Sequence, residues 1–389
     1  MQGSFVRKRG STWTAYYYLA DSDLKRQQRS KGGFRTKAEA QSYLNSVVHT
    51  VTIGEYTEPT KMTVGEFLEQ RWFPVIESTI RPSTFSSYRG QLRLHVIPRI
   101  GGIPLQQLRA DHLDQLYVQL LKSGRRDSKE GGLSPKTVQY LHTTIHKALK
   151  DAERKRLVNR NVAAAADPPR QRQAGSQEMK TWTVEEVRTF LTEMTDHRIG
   201  TAYILAVTTG MRRGEILGVR WSDIDFVTRR LSVRQTITLV NYTVTIGTPK
   251  TSRGRRSIAL DPATVAALQA HRERQMEETA SLGAGYTDHG LVFAKVDGFP
   301  LNPDYFSQVF DRTVARLPIT RIRLHDLRHT HATLGLAAGI PPKVMSDRLG
   351  HATVAFTQDV YMHAIPQLER DAADQMANLI FGPPSTNEG

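Results

Sequence analysis

Thr209-Gly210-Met211-Arg212-Arg213-Gly214-Glu215 ends an apolar run, Tyr203 to Val207, and starts a new segment. The glycine lets the chain turn closely at a helix start, where free amides favour an anion. Arg212 follows that turn, and Glu215 comes one helical turn later, where it can brace the guanidinium. Three more patches have matching chemistry. Lys250 lies in Gly247-Thr248-Pro249-Lys250-Thr251-Ser252-Arg253-Gly254, His325-Asp326-Leu327-Arg328 follows, and Leu349-Gly350-His351 precedes Tyr361 by ten residues. Two arginines, a lysine, two histidines and a tyrosine make a cationic pocket around one phenol. Such a set suits a phosphodiester.

Composition points the same way. The chain has 389 residues, enough for two or three domains. Lys+Arg is 53 against Asp+Glu 38, a net charge of +15. That excess favours a polyanionic partner, nucleic acid first and an acidic membrane surface second. Cysteine is absent, which excludes disulfides, thiolate nucleophiles and zinc–thiolate fingers. No apolar run reaches the roughly 18–20 residues of a membrane span. The opening residues lack the apolar core of a signal peptide, so a cytoplasmic protein is expected.

The chain reads as an α+β, multidomain protein. Residues 1–60 form a small β-sheet-plus-helix unit. Trp13 to Leu19 alternates like a strand, Lys31 to Arg35 reads as a turn and a short strand, and Thr36 caps a helix from Lys37 to about Val48. Arg7, Lys8, Arg9, Lys25 and Arg26 give that unit basic strands and turns suited to a DNA groove. Residues 62–162 read as a four-helix unit, with helices at Val64, after Arg81-Pro82, after an Asp111 cap and after Ser134-Pro135. The last helix turns Val138, Leu141, Ile145 and Leu149 inward and Lys136, His142 and Lys150 outward. Residues 163–178, with Pro168-Pro169, read as a linker. Residues 179–389 form a mainly helical unit with a small antiparallel sheet. Thr183-x-x-Glu186 is a capping box. Arg230–Leu239, Asn241–Ile246 and Arg256–Leu260 read as strands, as does a short Leu291-Val292-Phe293.

Cleavage of a phosphodiester by a protein hydroxyl makes three demands. The nucleophile must lose a proton, the non-bridging oxygens need cationic donors, and the leaving oxygen needs an acid. Arginine meets the second demand, because its planar fork binds two oxygens and stays charged. A lysine on a hairpin can supply the acid. The phenol, with a pKa near 10, needs neighbouring cations to be useful. His325 and His329 also share the spacing of two zinc ligands, but the partnering glutamate is missing and Arg328 would repel a dication, so no metal is expected.

As a set, these patches resemble the tyrosine recombinase, or phage integrase, family. That family carries TGxR-x-x-E, a hairpin lysine, His-x-x-Arg, an LGH histidine and a tyrosine about ten residues on. The resemblance covers residues 180–365 strongly. It also makes residues 62–162 similar to a core-binding domain and residues 1–60 to an arm-binding domain. It implies that Tyr361 attacks the scissile phosphate to form a 3′-phosphotyrosyl link, while Arg212 and Arg328 stabilise the phosphate. Lys250 would protonate the leaving oxygen, His325 would move a proton and His351 would hydrogen-bond the phosphate. No cofactor is implied, and no G-x-x-x-x-G-K-[ST] loop occurs in the chain. The implied partners are core- and arm-type double-stranded DNA sites, a homotetramer on DNA, an excisionase and a DNA-bending host protein, with the enzyme acting at the nucleoid. The segment Pro366 to Ile380 presents an apolar face that could dock on a neighbour or on its own domain. A type IB topoisomerase-like nicking enzyme, or a non-catalytic DNA-binding protein on the same fold, would be the alternatives.

Overall fold

The computed structural model describes residues 4–20, 26–53, 56–125, 131–170, 180–249, 254–350, 376 and 379–382. The chain divides into two compact units, Met1–Gln173 and Ala174–Gly389.

The first unit opens with strands β1 (Phe5–Arg9), β2 (Thr12–Ala20) and β3 (Arg26–Phe34), antiparallel in that order. β3 is longer than the sequence suggests. Lys31 to Phe34 continue the strand, because a register shift between Trp13 and Ala15 absorbs the glycine pair and Gly33 takes φ +89°. Helix α1 (Lys37–Thr52), capped by Thr36, covers one face, burying Ala40 and packing Leu44 and Val47 against Ala15 and Tyr17.

Four helical rods follow. Two of them carry proline inside, at Pro74 and Pro98, where the ring removes a donor and clashes with the carbonyl four residues back. The helices do not stop there. α2 (Val64–Glu66) runs through a π-helical turn, Phe67–Trp72, into α3 (Phe73–Glu77), with Phe73 N–H donating to Leu68 O. α4 (Pro82–Gln91) runs through a second such turn, Leu92–Val96, into α5 (Ile97–Ile100), with Ile97 N–H donating to Leu92 O. The wider turn moves the offending carbonyl aside. α6 (Ala110–Ser123) is capped at Arg109, so Asp111, expected as the cap, lies within the first turn and pairs with Arg109. α7 (Pro135–Arg154) starts at its Ser134 cap. Trp72, Leu92, Leu116, Tyr117, Leu141 and Ile145 make a common core.

In the second unit, α8 (Val184–Glu193) has the Thr183–Glu186 capping box, and α9 (Gly200–Thr209) and α10 (Arg213–Leu217) flank the Gly210 turn. Strands β4 (Ile224–Asp225) and β5 (Arg230–Val233) pair in one sheet. β6 (Thr236–Val240) and β7 (Thr243–Gly247) form a separate hairpin, whose two-residue turn holds Asn241 and Tyr242 at φ +49° and +63°. β8 (Arg256–Ala259) then pairs with β5. Three expectations change here. Arg230–Leu239 is two strands in two sheets, broken at Arg234-Gln235, and Asn241 is in a turn. Leu291-Val292-Phe293 is buried but forms only an isolated bridge from Leu291 to Arg220. Helices α11 (Pro262–Leu282), α12 (Pro303–Val314), α13 (Asp326–Ala337) and α14 (Pro342–Leu349) complete the unit. Its core centres on Trp182, Phe190, Tyr203, Phe306 and Phe310, with the Tyr203 and Phe306 rings stacked at 4.4 Å. Of the apolar tail, Met376, Leu379 and Ile380 are exposed, and most of the Pro366–Ile380 segment lies outside the described residues.

Gly210 is a tight joint beside the site. It ends α9 at φ +63°, and a Cβ there would lie 2.6 Å from Leu349 Cδ2 and 2.7 Å from His331 Cδ2. Gly210→Ala therefore combines left-handed strain with overpacking and should cost about 2–5 kcal/mol, read as a lowered urea midpoint. His331 donates from Nδ1 to Val207 O at 2.7 Å, and its Nε2 is buried with no hydrogen-bond partner among the described residues. Burial and then Arg348 press its pKa down to about 4. The folded ring therefore stays neutral where the unfolded ring takes a proton. The resulting stability is complete above about pH 6.5 and is lost as pH falls toward about 4. Melting temperature should drop across that window, and His331→Gln should flatten the drop.

Candidate active site

Three elements meet at the end of α14. Its last carbonyls have no partner within the helix, and three successive ones are taken by three arginines. Arg256 Nε donates to Arg348 O at 2.7 Å, Arg328 Nη2 to Leu349 O at 2.8 Å and Arg212 Nη2 to Gly350 O at 3.4 Å. Gly350 ends the helix at φ +68°, and the chain goes on to His351. Cations at a helix C-terminus also suit its dipole.

Arg328 is 4% exposed, and its Nη1 donates to Gly210 O at 2.7 Å. It thus spans the ends of α9 and α14. Arg212, at the N-cap of α10, keeps 42% of its side chain exposed and can face a ligand. Glu215, 4% exposed, holds it from below. Oε1 accepts from Arg212 Nη1 at 2.8 Å, and Oε2 accepts from Arg212 N–H at 3.0 Å and from Arg256 Nη2 at 3.0 Å. Burial alone would raise this carboxyl. Arg256 first and Arg212 second reverse that and hold it below the usual carboxylate range.

His325 is the N-cap residue of α13, at the surface, and its ring lies edge-on to His329 at 5.4 Å. Partial desolvation by the packed protein, then Arg328, lowers its pKa, so the imidazole is neutral near pH 7. Asp326 beside it is buried and bonded to Arg323 at 2.8 Å. A cavity of about 380 Å³ opens here, lined by Arg213, Ser307, Asp311, Arg323, His325 and Arg328 among others. A larger one, about 1190 Å³, lies in the first unit and is lined by Arg99, Arg109 and Arg160 among others. Arg328 and the neutral His325 line the smaller recess, and Arg212 is anchored beside Arg328 at the end of α14; such a set can bind a phosphate and move a proton beside it.

Lys25, Lys250, His351 and Tyr361 lie outside the described residues, as does the side chain of Arg26. The segment with Lys250 joins β7 to β8, strands of two different sheets, whereas the hairpin of this region is β6–β7. Arg7, Lys8 and Arg9 are exposed on β1, and Lys136 and Lys150 on α7. His142 is drawn partly inward, its Nδ1 2.8 Å from Tyr117 Oη. Sequence reasoning gave no separate role to Arg256 or Arg348. Arg256 shares a strand face with buried Ile258, and Arg348 donates to Thr208 O and Ala259 O. The period-two alternation in Arg256–Ala259 was the available signal.

Comparison with known proteins agrees with this picture. Residues 180–367 match the phage integrase family, residues 4–51 an arm DNA-binding domain and residues 63–121 a phage integrase N-terminal SAM-like domain. The ICEBs1 integrase of Bacillus subtilis is 30% identical over 258 residues, 66% of this chain and 69% of that protein. A tyrosine recombinase XerC-like protein of Caldanaerobacter subterraneus is 25% identical over 363 residues, 89% of this chain and 91% of that one. In fold, the chain resembles the Tn1549 transposon integrase in complex with a circular intermediate DNA, with a TM-score of 0.63 and 19% identity over 81% of this chain and 100% of that one. It also resembles a lambda integrase tetramer bound to a Holliday junction, with a TM-score of 0.55 and 17% identity over 92% and 95%. The chain belongs to the phage integrase family and is a tyrosine-type site-specific DNA recombinase.

Proposed function

We propose that the recombinase integrates and excises a mobile element through a phosphotyrosine intermediate, with the six sequence-named residues in distinct roles. The observation that carries this is the shared anchorage of Arg212 and Arg328 at the end of α14, the point from which the chain leads to His351 and Tyr361.

Arg212 and Arg328 hold the two non-bridging oxygens of the scissile phosphate and offset charge as the phosphorane-like state forms. His351 adds a hydrogen bond to the same group. Tyr361 attacks the phosphorus. Its oxygen bonds to phosphorus while the bond to the 5′-oxygen breaks, leaving a 3′-phosphotyrosyl ester and a free 5′-hydroxyl. His325, neutral near pH 7, can take the phenolic proton, and Lys250 gives one to the leaving oxygen. A phosphodiester is exchanged for another of similar energy, so a 5′-hydroxyl from a second duplex reverses the step. Strand exchange of this kind is then driven by which complex is stable.

The unit of residues 179–389 and the helical unit of residues 62–162 would clamp a core site, with Lys136 and Lys150 toward the backbone. Residues 163–178 would link the two halves of that clamp, residues 1–60 would reach an arm site, and coupling core and arm binding raises avidity. Four protomers, an excisionase and a DNA-bending host protein would complete the assembly on cytoplasmic, nucleoid DNA.

Suicide substrates bearing the attachment site, in EDTA, test the chemistry. Wild type should leave a covalent 3′-linked adduct, and Tyr361→Phe none. Arg212→Ala should slow adduct formation by about 10²–10³ with DNA still bound. An adduct in Tyr361→Phe, or cleavage that needs added metal, would sink the proposal. For the arm unit, replacing Arg7, Lys8 and Arg9 by Ala should lower the slope of log affinity against log salt by about 0.9 per lost phosphate contact. Cleavage of an isolated core site should be unchanged in that variant.

A further inference from the structure

Arg256 is buried, with 8% of its side chain exposed, and uses three donors in three directions. Nη2 reaches Glu215 Oε2 at 3.0 Å, Nε reaches Arg348 O at 2.7 Å and Nη1 reaches Gly254 O at 3.3 Å. Each acceptor leads to a different part of the site. Glu215 carries Arg212. Arg348 stands three residues before His351, and Gly254 four residues after Lys250. Arg256 itself sits on a fixed strand, in register with Val233 of β5.

We propose that Arg256 is a positioning residue, one guanidinium that sets Arg212, through Glu215, against the backbone at Gly254 and at Arg348. It touches neither DNA nor the reacting atoms, and it rests on the catalytic reading of Arg212 given above. Without it, Glu215 keeps only Arg212 as its ionic partner and can swing toward it. Arg348 O and Gly254 O also lose their arginine donor. Lysine cannot replace it fully, because a single ammonium does not reach three acceptors set around a planar fork.

The test uses the full chain on a suicide core site under single-turnover conditions, with affinity and melting temperature measured beside the rate. Arg256→Met should slow adduct formation at saturating DNA by about 10- to 100-fold, the usual effect of a small misplacement. Affinity should stay within about threefold. Arg256→Lys should fall between Met and wild type. In a Glu215→Gln background, Arg256→Met should cost less than it does alone, because the ionic contact the two residues share is already lost. Where the Met variant melts early, the Lys variant decides. Cleavage by the folded Arg256 variants within about threefold of wild type would overturn the proposal. So would a double variant whose loss is the product of the single losses. Arg212→Ala runs alongside: full activity there overturns the reading of Arg212, whereas loss there with none at Arg256 overturns only the brace.

Discussion

The site depends on buried Arg328 donating to two carbonyls, Gly210 O at the end of α9 and Leu349 O at the end of α14. An isolated buried guanidinium is costly. Here its charge is met by carbonyls that their own helices leave unpaired, so two deficits cancel. Because the acceptors are backbone, the arginine also fixes the chain path. Gly210 then fits between Leu349 and His331 only because it has no side chain.

A second tier rests on that joint. Glu215 lies between Arg212 and Arg256 and gives each guanidinium one oxygen. Arg212 can therefore be partly exposed, with 42% of its side chain accessible, and still be directed. An exposed arginine alone would spend its rotamer freedom on binding a ligand. Braced by a buried carboxylate, it has lost much of that freedom beforehand.

How much of this was legible in the sequence varies by residue, for physical reasons. Arg212, Glu215, His325 and Arg328 stand in short spacings that one helical turn converts into geometry. The Thr36, Ser134 and Thr183 caps are likewise local chemistry, and the helices begin where they indicate. Arg256 was hidden, because its three acceptors come from residues that are distant in sequence or within its own turn. The strands were harder. Alternation over Arg230–Leu239 is the same whether one strand runs straight or two part at Arg234, since both bury the same apolar residues. Leu291-Val292-Phe293 shows that a β-prone apolar run reports burial rather than pairing. Pro74 and Pro98 do not end their helices, because a helix can widen by one residue per turn and pass a proline that would otherwise end it.

The arginine network has an energetic imbalance. Arg212, Arg256, Arg328 and Arg348 are joined through shared acceptors or packed near one another, with Glu215 as the carboxylate at their centre. Arg348 feels the same crowding: burial first, and Arg256 after it, lower its pKa, while Asp261 pulls the other way. Like charges held this close raise the energy of the free protein. A phosphate arriving at Arg212 supplies the missing negative charge and relieves that repulsion. By linkage, whatever binds the folded site and not the unfolded chain stabilises the fold. With Arg212 in its proposed role, the scissile phosphate would be both the substrate and a structural counter-ion, and DNA would stabilise the unit that holds it.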